Sequence, residues 1–494
     1  MTSSHGNHKS AAAIRAGLSY PIIDADAHVV ECQFALQDML QQVGGTRLAQ
    51  RFDEVLQSIS MHRWYRADAA TRRDQRIARP SFWHVPASNT RDRATAMLPS
   101  LMRERLDELG IDFAVVYTTL GLSFINLPDE EMRRALCRSL NRLNAATFSE
   151  HRTRLTPVAI IPMGTPEEAI AELEYAVREL GMKAAFVAGH FWRPLPAATR
   201  DQGGGSRGPR YMDYLALDSE LDYDAVWRKC VELKVVPASH VGTLGGPTHG
   251  SLSNYTFNHA GSFAAGAHIF CRALLLGGVM QRFPTLKVAF LEGGAGWGSM
   301  LYNTLIERFE KRSGPELLRT LDPDRQDRQE MEALFAKYGG PVLSAYAARM
   351  GKDEGLMLNP PEDRANVDDF AACGVDSAKA LADQFVDNFY FGCEGEDRAT
   401  VMAFDRRVNH FGKQLKAIFS SDLGHWDVPD MSKVLVETYE LLEDDILTPE
   451  DFRKFVFSNT AEMYTSMNPD FFKGTVVEAA VAEQIAKAPA GASQ

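Results

Sequence analysis

The sequence predicts an α/β fold, a (β/α)8 TIM barrel with long βα-loop insertions, and two observations carry this prediction. Short apolar runs rich in Val, Ile, Ala and Phe alternate with longer stretches of helical periodicity, which is typical of a parallel sheet with crossover helices. There are eight such runs, the number of strands that closes a barrel. Polar residues directly follow several of the runs, as expected where a barrel builds its active site.

Each predicted strand spans one apolar run. The eight runs are YPIIDADAH (20–28), IDFAVVYTT (111–119), LTPVAIIPM (155–163), KAAFVAGH (183–190), KVVPASH (234–240), LKVAFLE (286–292), DNFYFGC (387–393) and KAIFSSD (416–422). The intervening helical patterns include TPEEAIAELEYAVRELG, which has Pro and two Glu in its first turn and a terminal Gly, and FAAGAHIFCRALLLGGVMQRFP.

One barrel domain accounts for residues 20–470, between a flexible N-terminal tail over 1–19 and a C-terminal tail over 471–494. A long insertion precedes the first helix after strand one and carries HRWYR (62–66) and SFWHVP (81–86). A Gly-rich turn, DQGGGSRGPRY, follows strand four. A helical, charged insertion over about 314–384 enlarges the loop between strands six and seven. The first two insertions lie on the carboxyl side of strands, where they can cover a barrel mouth.

Composition excludes several classes of protein. The net charge of −12, without a Lys/Arg tract interleaved with aromatic residues, argues against a nucleic-acid partner. No stretch approaches the ~20 apolar residues of a membrane span, so we expect a protein that neither enters a membrane nor is exported. The 6 cysteines are scattered without a CxxC pair, which indicates neither a disulfide framework nor a thiolate zinc site and fits a reducing cytoplasm.

Metal-compatible side chains gather where the predicted strands stop. Because side chains alternate along a strand, Asp26 and His28 should face the same way, into the barrel mouth. Imidazole nitrogen and carboxylate oxygen suit Zn, Mn or Fe, and ligands from separate strands leave a coordination position open for water or substrate. The alternative for any one of these residues is a hydrogen-bonded core or loop position. The full set is Asp26, His28, His190, His240, Glu292, Asp422 and His425.

Four segments, IDADAH, ASHVG, RFPTLKVAFLEGGAGW and FSSDLGHWD, resemble the amidohydrolase-related branch of the amidohydrolase superfamily. This branch contains aminocarboxymuconate semialdehyde decarboxylase and γ-resorcylate decarboxylase, and the resemblance covers residues from about 20 to 470. It implies a metal-dependent barrel enzyme. Carried over residue by residue, it implies the metal ligands Asp26, His28, His240 and Asp422.

The sequence departs from the pattern of this branch at two positions. Asp26 stands where the strand-one motif usually has His, and the added negative charge favours Mn or Fe while leaving Zn open. Glu292 stands where many relatives carry a catalytic His, so it is either a general base or a ligand. Glu31 and His259, together with Glu292, form a candidate second-metal set. We therefore expect the site to hold one or two divalent ions. The alternatives are a helix-start acid for Glu31 and a loop hydrogen bonder for His259.

Candidate substrate contacts lie in the two loops expected to cap the mouth. Trp64, Trp83 and Trp192 would offer aromatic faces, and packing is their alternative role. Arginines in the same loops would clamp a substrate carboxylate, with surface charge as the alternative. These arginines are Arg63, Arg66 and Arg193.

These residues predict a metal-dependent hydrolase or non-oxidative decarboxylase acting on a small carboxylated or aromatic substrate. Glu292, Asp422 and His425 are its candidate proton-transfer residues. One alternative is a dinuclear Fe or Mn oxygenase that uses the carboxylate-rich set together with both candidate metal positions. A second alternative is a catalytically silent partner subunit. We expect a homo-oligomer, with a hetero-oligomer as the other option.

Overall fold

Eight parallel strands form one sheet that curves into a nearly closed (β/α)8 TIM barrel, as the sequence predicts. A separate two-stranded antiparallel hairpin, β5–β6, follows β4. In the large sheet the hydrogen-bonded order is β1-β2-β3-β4-β7-β8-β9-β10. The strands are β1 Ile23–Val29, β2 Phe113–Thr118, β3 Leu155–Ile160, β4 Ala184–Val187, β5 His190–Pro194, β6 Arg210–Tyr214, β7 Val236–Ser239, β8 Val288–Phe290, β9 Phe389–Cys393 and β10 Lys416–Phe419.

The computed structural model describes residues 9–58, 60–81, 88–196, 209–240, 250–352, 364–425 and 428–487. Trp83, one of the candidate substrate contacts, lies outside these ranges. All six cysteines lie within them, and each is a free thiol. Among the described residues, no helix combines the length and the apolar character needed to cross a bilayer.

The barrel closes through the chain that directly follows β10. The Asp422 N–H donates to the Asp26 carbonyl at 2.9 Å, and the His28 N–H donates to the Leu423 carbonyl at 2.6 Å. On the other side of β1, the pairing with β2 slips by one residue between Asp24 and Ala27. Such bulges re-aim side chains and are common beside active sites. The seam between the first and last strands therefore contains two of the predicted ligands.

Helices pack around the sheet and fill the insertions. The helix predicted after strand three is confirmed at its start, where Thr165 and Glu168 form a capping box and Pro166 occupies the first turn. The α-helices are Ala11–Gly17, Gln33–Gln50, Phe52–Ser58, Ser60–Arg66, Ala69–Asp74, Thr90–Met97, Pro99–Leu109, Gly121–Phe124, Glu130–Thr147, Pro166–Glu174, Asp224–Leu233, Tyr255–His259, Ser262–Leu276, Val279–Arg282, Gly296–Arg312, Gly314–Thr320, Arg328–Tyr338, Gly340–Leu343, Ala347–Met350, Ala378–Asn388, Val401–Phe404, Val434–Glu443, Pro449–Arg453, Asn459–Met467 and Glu478–Lys487.

Shorter helical turns complete the ring. Two π-helical turns, Tyr175–Glu179 and Lys454–Ser458, continue α-helices. The 3₁₀ turns are Pro323–Arg325, Ser344–Tyr346, Arg364–Asn366, Ala371–Cys373, Arg398–Thr400, His410–Gly412 and Met431–Lys433.

The structure corrects two local expectations. The insertion after strand one contains four helices between Gln33 and Asp74 in the described residues, so HRWYR lies on the helix Ser60–Arg66 and not in a loop. Strand four ends at Val187, and His190 begins the antiparallel hairpin instead of ending a barrel strand. The break between them falls at Gly189, where a Cβ would lie 2.5 Å from the Phe270 side chain.

Both predicted tails contain a packed helix. Ala11–Gly17 buries Ala11 and Ile14 against the core, with Ser10 capping its first turn. Near the other end, Glu478–Lys487 buries Val481. Apolar residues at helical spacing within otherwise polar ends explain both differences.

Candidate metal centre

Four predicted ligands from three strand ends converge on one buried point. His28 Nε2 lies 3.0 Å from His240 Nε2, 3.4 Å from Asp26 Oδ1 and 3.1 Å from Asp422 Oδ1. His240 Nε2 lies 3.1 Å from Asp26 Oδ2. β1 carries Asp26 and His28, His240 follows β7, and Asp422 follows β10. We call Asp26, His28, His240 and Asp422 the ligand cluster.

The ligand cluster has the chemistry of a site for a cation. Both carboxylate oxygens of Asp26 and Oδ1 of Asp422 are buried, and no hydrogen bond of normal geometry reaches them within the part of the chain that the structure describes. Ionised carboxylates are rarely buried without a partner because desolvation is costly. Two imidazole nitrogens facing each other at 3.0 Å also suit a shared ion. The residues therefore fit a divalent metal, and their mixed N and O donors are compatible with Zn, Mn or Fe.

The electrostatics of the ligand cluster also call for positive charge. Burial lowers the pKa of His28, but the Asp26 and Asp422 carboxylates beside it raise that pKa to about 10. Burial favours the neutral form of Asp422, yet the His425 and His28 rings hold its pKa well below the usual range. At neutral pH the two carboxylates thus favour a protonated His28, and a divalent cation bound among these residues could supply the positive charge in its place.

Two acids of the site sit on strained backbone. Glu292 has φ 57° and Asp422 has φ 54°, in the left-handed region that L residues rarely adopt. Neighbouring glycines allow these turns. Gly294 has φ 68°, and Gly424 packs so closely that a Cβ would lie 2.2 Å from the His28 carbonyl oxygen. Strain of this kind is concentrated at functional sites, where it fixes the direction of a side chain.

Glu292 and His425, two of the candidate proton-transfer residues, lie next to the ligand cluster. Glu292 Oε2 is 3.5 Å from Nδ1 of His240, the ring nitrogen that faces away from His28, and its side chain is 2% exposed. The His425 ring stacks on His28 with centroids 3.7 Å apart, and His425 Nδ1 lies 2.9 Å from Asp422 Oδ2. Burial lowers the pKa of His425, which favours the neutral ring despite the Asp422 carboxylate.

The metal-compatible groups overlap around the same point. Within the described ranges, three sets of at least three such side chains have donor atoms within 4.8 Å of one another. They are Asp26, His28 and His240; His28, Asp422 and His425; and His240, Glu292 and Asp422.

The candidate second-metal residues Glu31 and His259 belong to none of these sets. The Glu31 carboxylate accepts hydrogen bonds from the Thr118 hydroxyl and from the N–H groups of Thr119 (3.1 Å) and Leu120 (2.9 Å). It joins β1 to the chain after β2. His259 is the last residue of the helix Tyr255–His259, and its Nδ1 lies 3.0 Å from the Ser81 carbonyl oxygen. Their assignment to a second metal stays a prediction.

The candidate substrate contacts are engaged with neighbouring protein groups. Trp64 Nε1 donates to the Leu252 carbonyl at 2.9 Å, and the Arg72 guanidinium lies 3.7 Å from the centroid of its ring. Arg63 is exposed and donates to Gln75 Oε1 at 2.8 Å. Trp64 therefore ties the long insertion to the chain before the helix Tyr255–His259, whereas Arg63 ties two parts of the insertion to each other.

The hairpin after β4 carries the other two candidates. Arg193 donates to the Asp213 carboxylate, to the Gly164 carbonyl (3.0 Å) and to the Tyr223 hydroxyl (2.9 Å), so it anchors the hairpin. Trp192 lies beside His190 with ring centroids 6.5 Å apart, and its buried Nε1 has no hydrogen-bond partner in the described residues.

Sequence reasoning missed one carboxyl group near the ligand cluster. Glu394 directly follows β9. Burial, together with the charges of Asp422 and other acids including Asp26, raises the pKa of Glu394 to about 8, so much of it is protonated at neutral pH. Its position was readable, since the seventh predicted strand stops one residue before it.

Sequence reasoning also gave no role to Asp24 and Ser421. Asp24 is fully buried beside the seam, and burial raises its pKa to about 7 although Ser421 donates to it. Neither residue type at a strand end signals a contact between the first and last strands of a barrel, so nothing in the sequence alone pointed to their pairing.

Comparisons with known proteins agree with the fold. Over 91% of its length, the chain is similar to an amidohydrolase structure from Mycobacterium avium subsp. paratuberculosis, which it covers completely (100%) at 17% identity and a TM-score of 0.51. It is also similar to 2,6-dihydroxybenzoate decarboxylase from Rhizobium, with 15% identity, TM-score 0.46 and coverage of 90% of this chain and 99% of that one. A third is the dihydroxybenzoic acid decarboxylase from Polaromonas sp. JS666 with bound manganese (15% identity, TM-score 0.45, coverage 90% and 97%).

The family assignment comes from the sequence match. The model of the amidohydrolase family matches residues 23–337, well over half of the chain. The match begins at the first residue of β1 and includes three of the four residues of the ligand cluster. The chain belongs to the amidohydrolase family.

Proposed function

We propose that the chain is a metal-dependent enzyme that hydrolyses or non-oxidatively decarboxylates a small carboxylated or aromatic molecule. One observation carries the proposal: the ligand cluster brings two carboxylates and two imidazoles together at buried strand ends, and three of the four carboxylate oxygens accept no hydrogen bond of normal geometry within the described residues. Such a set of donors favours a divalent ion with a position left for substrate or water.

Asp26, His28, His240 and Asp422 would hold the ion. When bound, the ion would act as a Lewis acid that polarises a substrate oxygen or lowers the pKa of water. We expect a single ion, because Glu31 and His259 make other hydrogen bonds and belong to none of the metal-compatible sets found in the described residues. Mn, Fe and Zn are the candidates.

The Asp422–His425 pair is suited to move a proton. If His425 Nδ1 donates to Asp422 across 2.9 Å, its Nε2 is the acceptor and can take a proton from water or return one to a carbon. A hydrolase would use the first direction and a decarboxylase the second. Glu292 would orient His240 by accepting from its Nδ1, as carboxylates commonly do for ligating histidines.

Metal analysis combined with an activity screen tests this function. Protein purified without chelator should contain about one Mn, Fe or Zn per chain. A panel of small aromatic acids, esters and amides would be assayed for CO₂ release and for hydrolysis products, under air and under argon. Equal activity in both gases is expected, and chelation should abolish it. Protein that binds no divalent metal would overturn the proposal.

The same screen addresses the two alternatives. Two Fe or Mn ions per chain with oxygen uptake under air would instead indicate the dinuclear oxygenase. Metal binding without turnover across the panel, followed by activity only after a second polypeptide is added, would indicate a partner subunit.

We also propose that the protein forms a homo-oligomer, on the general frequency of symmetric assemblies among soluble enzymes. Sedimentation at micromolar concentration should show a species at least twice the chain mass of 54.8 kDa. A species of chain mass alone would contradict it.

A further inference from the structure

Asp24 makes a set of contacts that the proposed chemistry does not use. Its Oδ1 accepts from the Ser421 N–H at 3.0 Å and from the Asp26 N–H at 3.1 Å, and its Oδ2 accepts from the Ser421 hydroxyl. Asp24 belongs to none of the metal-compatible sets found in the described residues. The fully buried Asp24 side chain therefore holds Ser421, at the end of the last strand, next to the Asp26 backbone.

Ser421 also hydrogen-bonds to the residue on the other side of Asp422. The Ser421 hydroxyl donates to Asp24 and also accepts from the Leu423 N–H at 3.0 Å, so it spans the ligand between them. Asp422 itself is tied by its N–H to the Asp26 carbonyl at 2.9 Å. The residues on both sides of Asp422 are thus fixed, and Asp422 is held in its left-handed conformation with φ 54°.

This conformation decides where the Asp422 carboxylate points. Residues other than Gly, Asn and Asp rarely adopt it, and in an unconstrained loop even Asp prefers a negative φ. In the structure it aims Oδ1 at His28 Nε2 (3.1 Å) and Oδ2 at His425 Nδ1 (2.9 Å). Relaxation of the turn would move one ligand away from the other three.

We infer that Asp24 and Ser421 form a clip that positions Asp422 for the metal, so that two residues which touch neither metal nor substrate set the affinity of the site. The inference rests on the proposed metal centre and deepens it. A merely structural role in closing the barrel would instead change the stability of the fold and leave the geometry at the metal as it is.

The test uses the full-length chain stripped of metal and titrated with Co²⁺ and with Mn²⁺. Ser421→Ala removes the hydroxyl. Asp24→Asn keeps the side-chain volume but replaces one of the two acceptor oxygens with an NH2 donor, so the hydrogen bonds from the Ser421 hydroxyl, the Ser421 N–H and the Asp26 N–H cannot all be kept. Both should weaken metal affinity by roughly 10- to 100-fold, the usual range for groups that orient a ligand. Both should also shift the visible absorption of bound Co²⁺, and Ser421→Thr should restore the affinity and the spectrum.

Ser420→Ala is the matched control. Ser420 is the adjacent serine and is also buried, but its hydroxyl has no hydrogen-bond partner in the described residues. This variant should bind Co²⁺ as the wild type does. If Ser421→Ala does not fold, Asp24→Asn carries the test alone.

Three results would overturn the inference. Wild-type affinity and spectrum in Ser421→Ala or in Asp24→Asn would show that the clip does not act on the metal. Equal weakening in Ser420→Ala would show a general effect of cavities near the seam. A wild-type chain that binds neither Co²⁺ nor Mn²⁺ would remove the proposed metal centre itself and the role of the clip with it.

Discussion

Buried carboxylates in two regions of this protein have opposite surroundings. Outside the barrel, Glu168 accepts from Arg133 through two nitrogens, each at 2.9 Å, and both side chains are buried. In the ligand cluster, Asp26 and Asp422 are equally buried, but only imidazoles approach them. The first region contains its own cation, whereas the second has two carboxylates and no Lys or Arg in ion-pair contact among the described residues.

Because of this difference, we expect the first region to contribute to stability and the second to contribute to function. A bidentate Arg–carboxylate pair satisfies both charges within the chain, so its loss should weaken the fold. Carboxylates that lack a fixed cation are costly to fold and are retained where an added ion or a substrate completes them. We therefore expect variants in the two regions to fail in different measurements.

The largest effect is expected from His240→Ala. His240 provides the imidazole nitrogen that faces both His28 and Asp26, so its removal should lower metal content and turnover together, with turnover falling to background. Elemental analysis and the activity screen would be run on the same preparation. Full metal occupancy in this variant would remove His240 from the ligand assignment.

Arg133→Ala should affect the other region alone. We expect a loss of about 3 kcal/mol in the free energy of unfolding, the low end for a broken buried pair, because the Gly164 and Thr165 N–H groups still donate to Glu168. Denaturant titration measures this, and metal content should stay at the wild-type value.

A surface pair provides the control for Arg133→Ala. Lys379 and Asp383 form an exposed i,i+4 pair, and Lys379→Ala should change stability by no more than about 0.5 kcal/mol. Comparable losses in the two variants would contradict the distinction between buried and exposed pairs.

Glu292→Gln tests whether Glu292, which lies next to the ligand cluster, is a metal ligand. Because Glu292 contacts the ring nitrogen of His240 that faces away from the cluster, the variant should keep its metal and lose turnover by roughly 10²-fold. Release of one metal equivalent would instead make Glu292 a ligand. Normal metal content with normal turnover would exclude it from the site.

Among the buried positions tested, the smallest effect is expected from Thr165→Ala. Thr165 caps the helix that carries Glu168, and its hydroxyl accepts from the Glu168 N–H at 3.3 Å. Loss of the cap should cost about 1 kcal/mol of stability with no change in metal affinity. A measurable change in Co²⁺ binding would show that the two regions are coupled.

Much of the barrel could be predicted because the pattern of apolar runs and helical stretches depends only on residues that are close in sequence. Seven of the eight strands of the large sheet lie within the predicted runs, and β1 extends one residue beyond its run, to Val29, since apolar β-branched residues between helical patterns have few other solutions. Asp26 and His28 were predicted to face the mouth together, and both lie in the ligand cluster, although a β-bulge separates their pairing from that of Asp24.

Other features depend on contacts between distant parts of the chain. Within the run KAAFVAGH a barrel strand ends at Val187 and a hairpin strand begins at His190, and Phe270, a residue distant in sequence, packs closely against Gly189 at the break. Glu31 has the right chemistry and spacing for a metal ligand, but the Thr119 and Leu120 N–H groups are nearer partners. The Asp24–Ser421 contact joins residues 397 apart in sequence, so it is visible only once the barrel closes.

At Glu292 and Asp422, the left-handed backbone should make selection for stability and selection for turnover favour different residues. Each position carries an acid in a conformation that costs an L residue ~1–2 kcal/mol, and glycine would remove that cost at once. A mutant library selected for heat resistance alone should therefore accumulate glycine at 292 and 422, whereas one selected for turnover should retain both acids. The ratio of glycine to acid at these two positions, compared between the two libraries, would measure how far selection for thermal stability and selection for turnover diverge in this barrel.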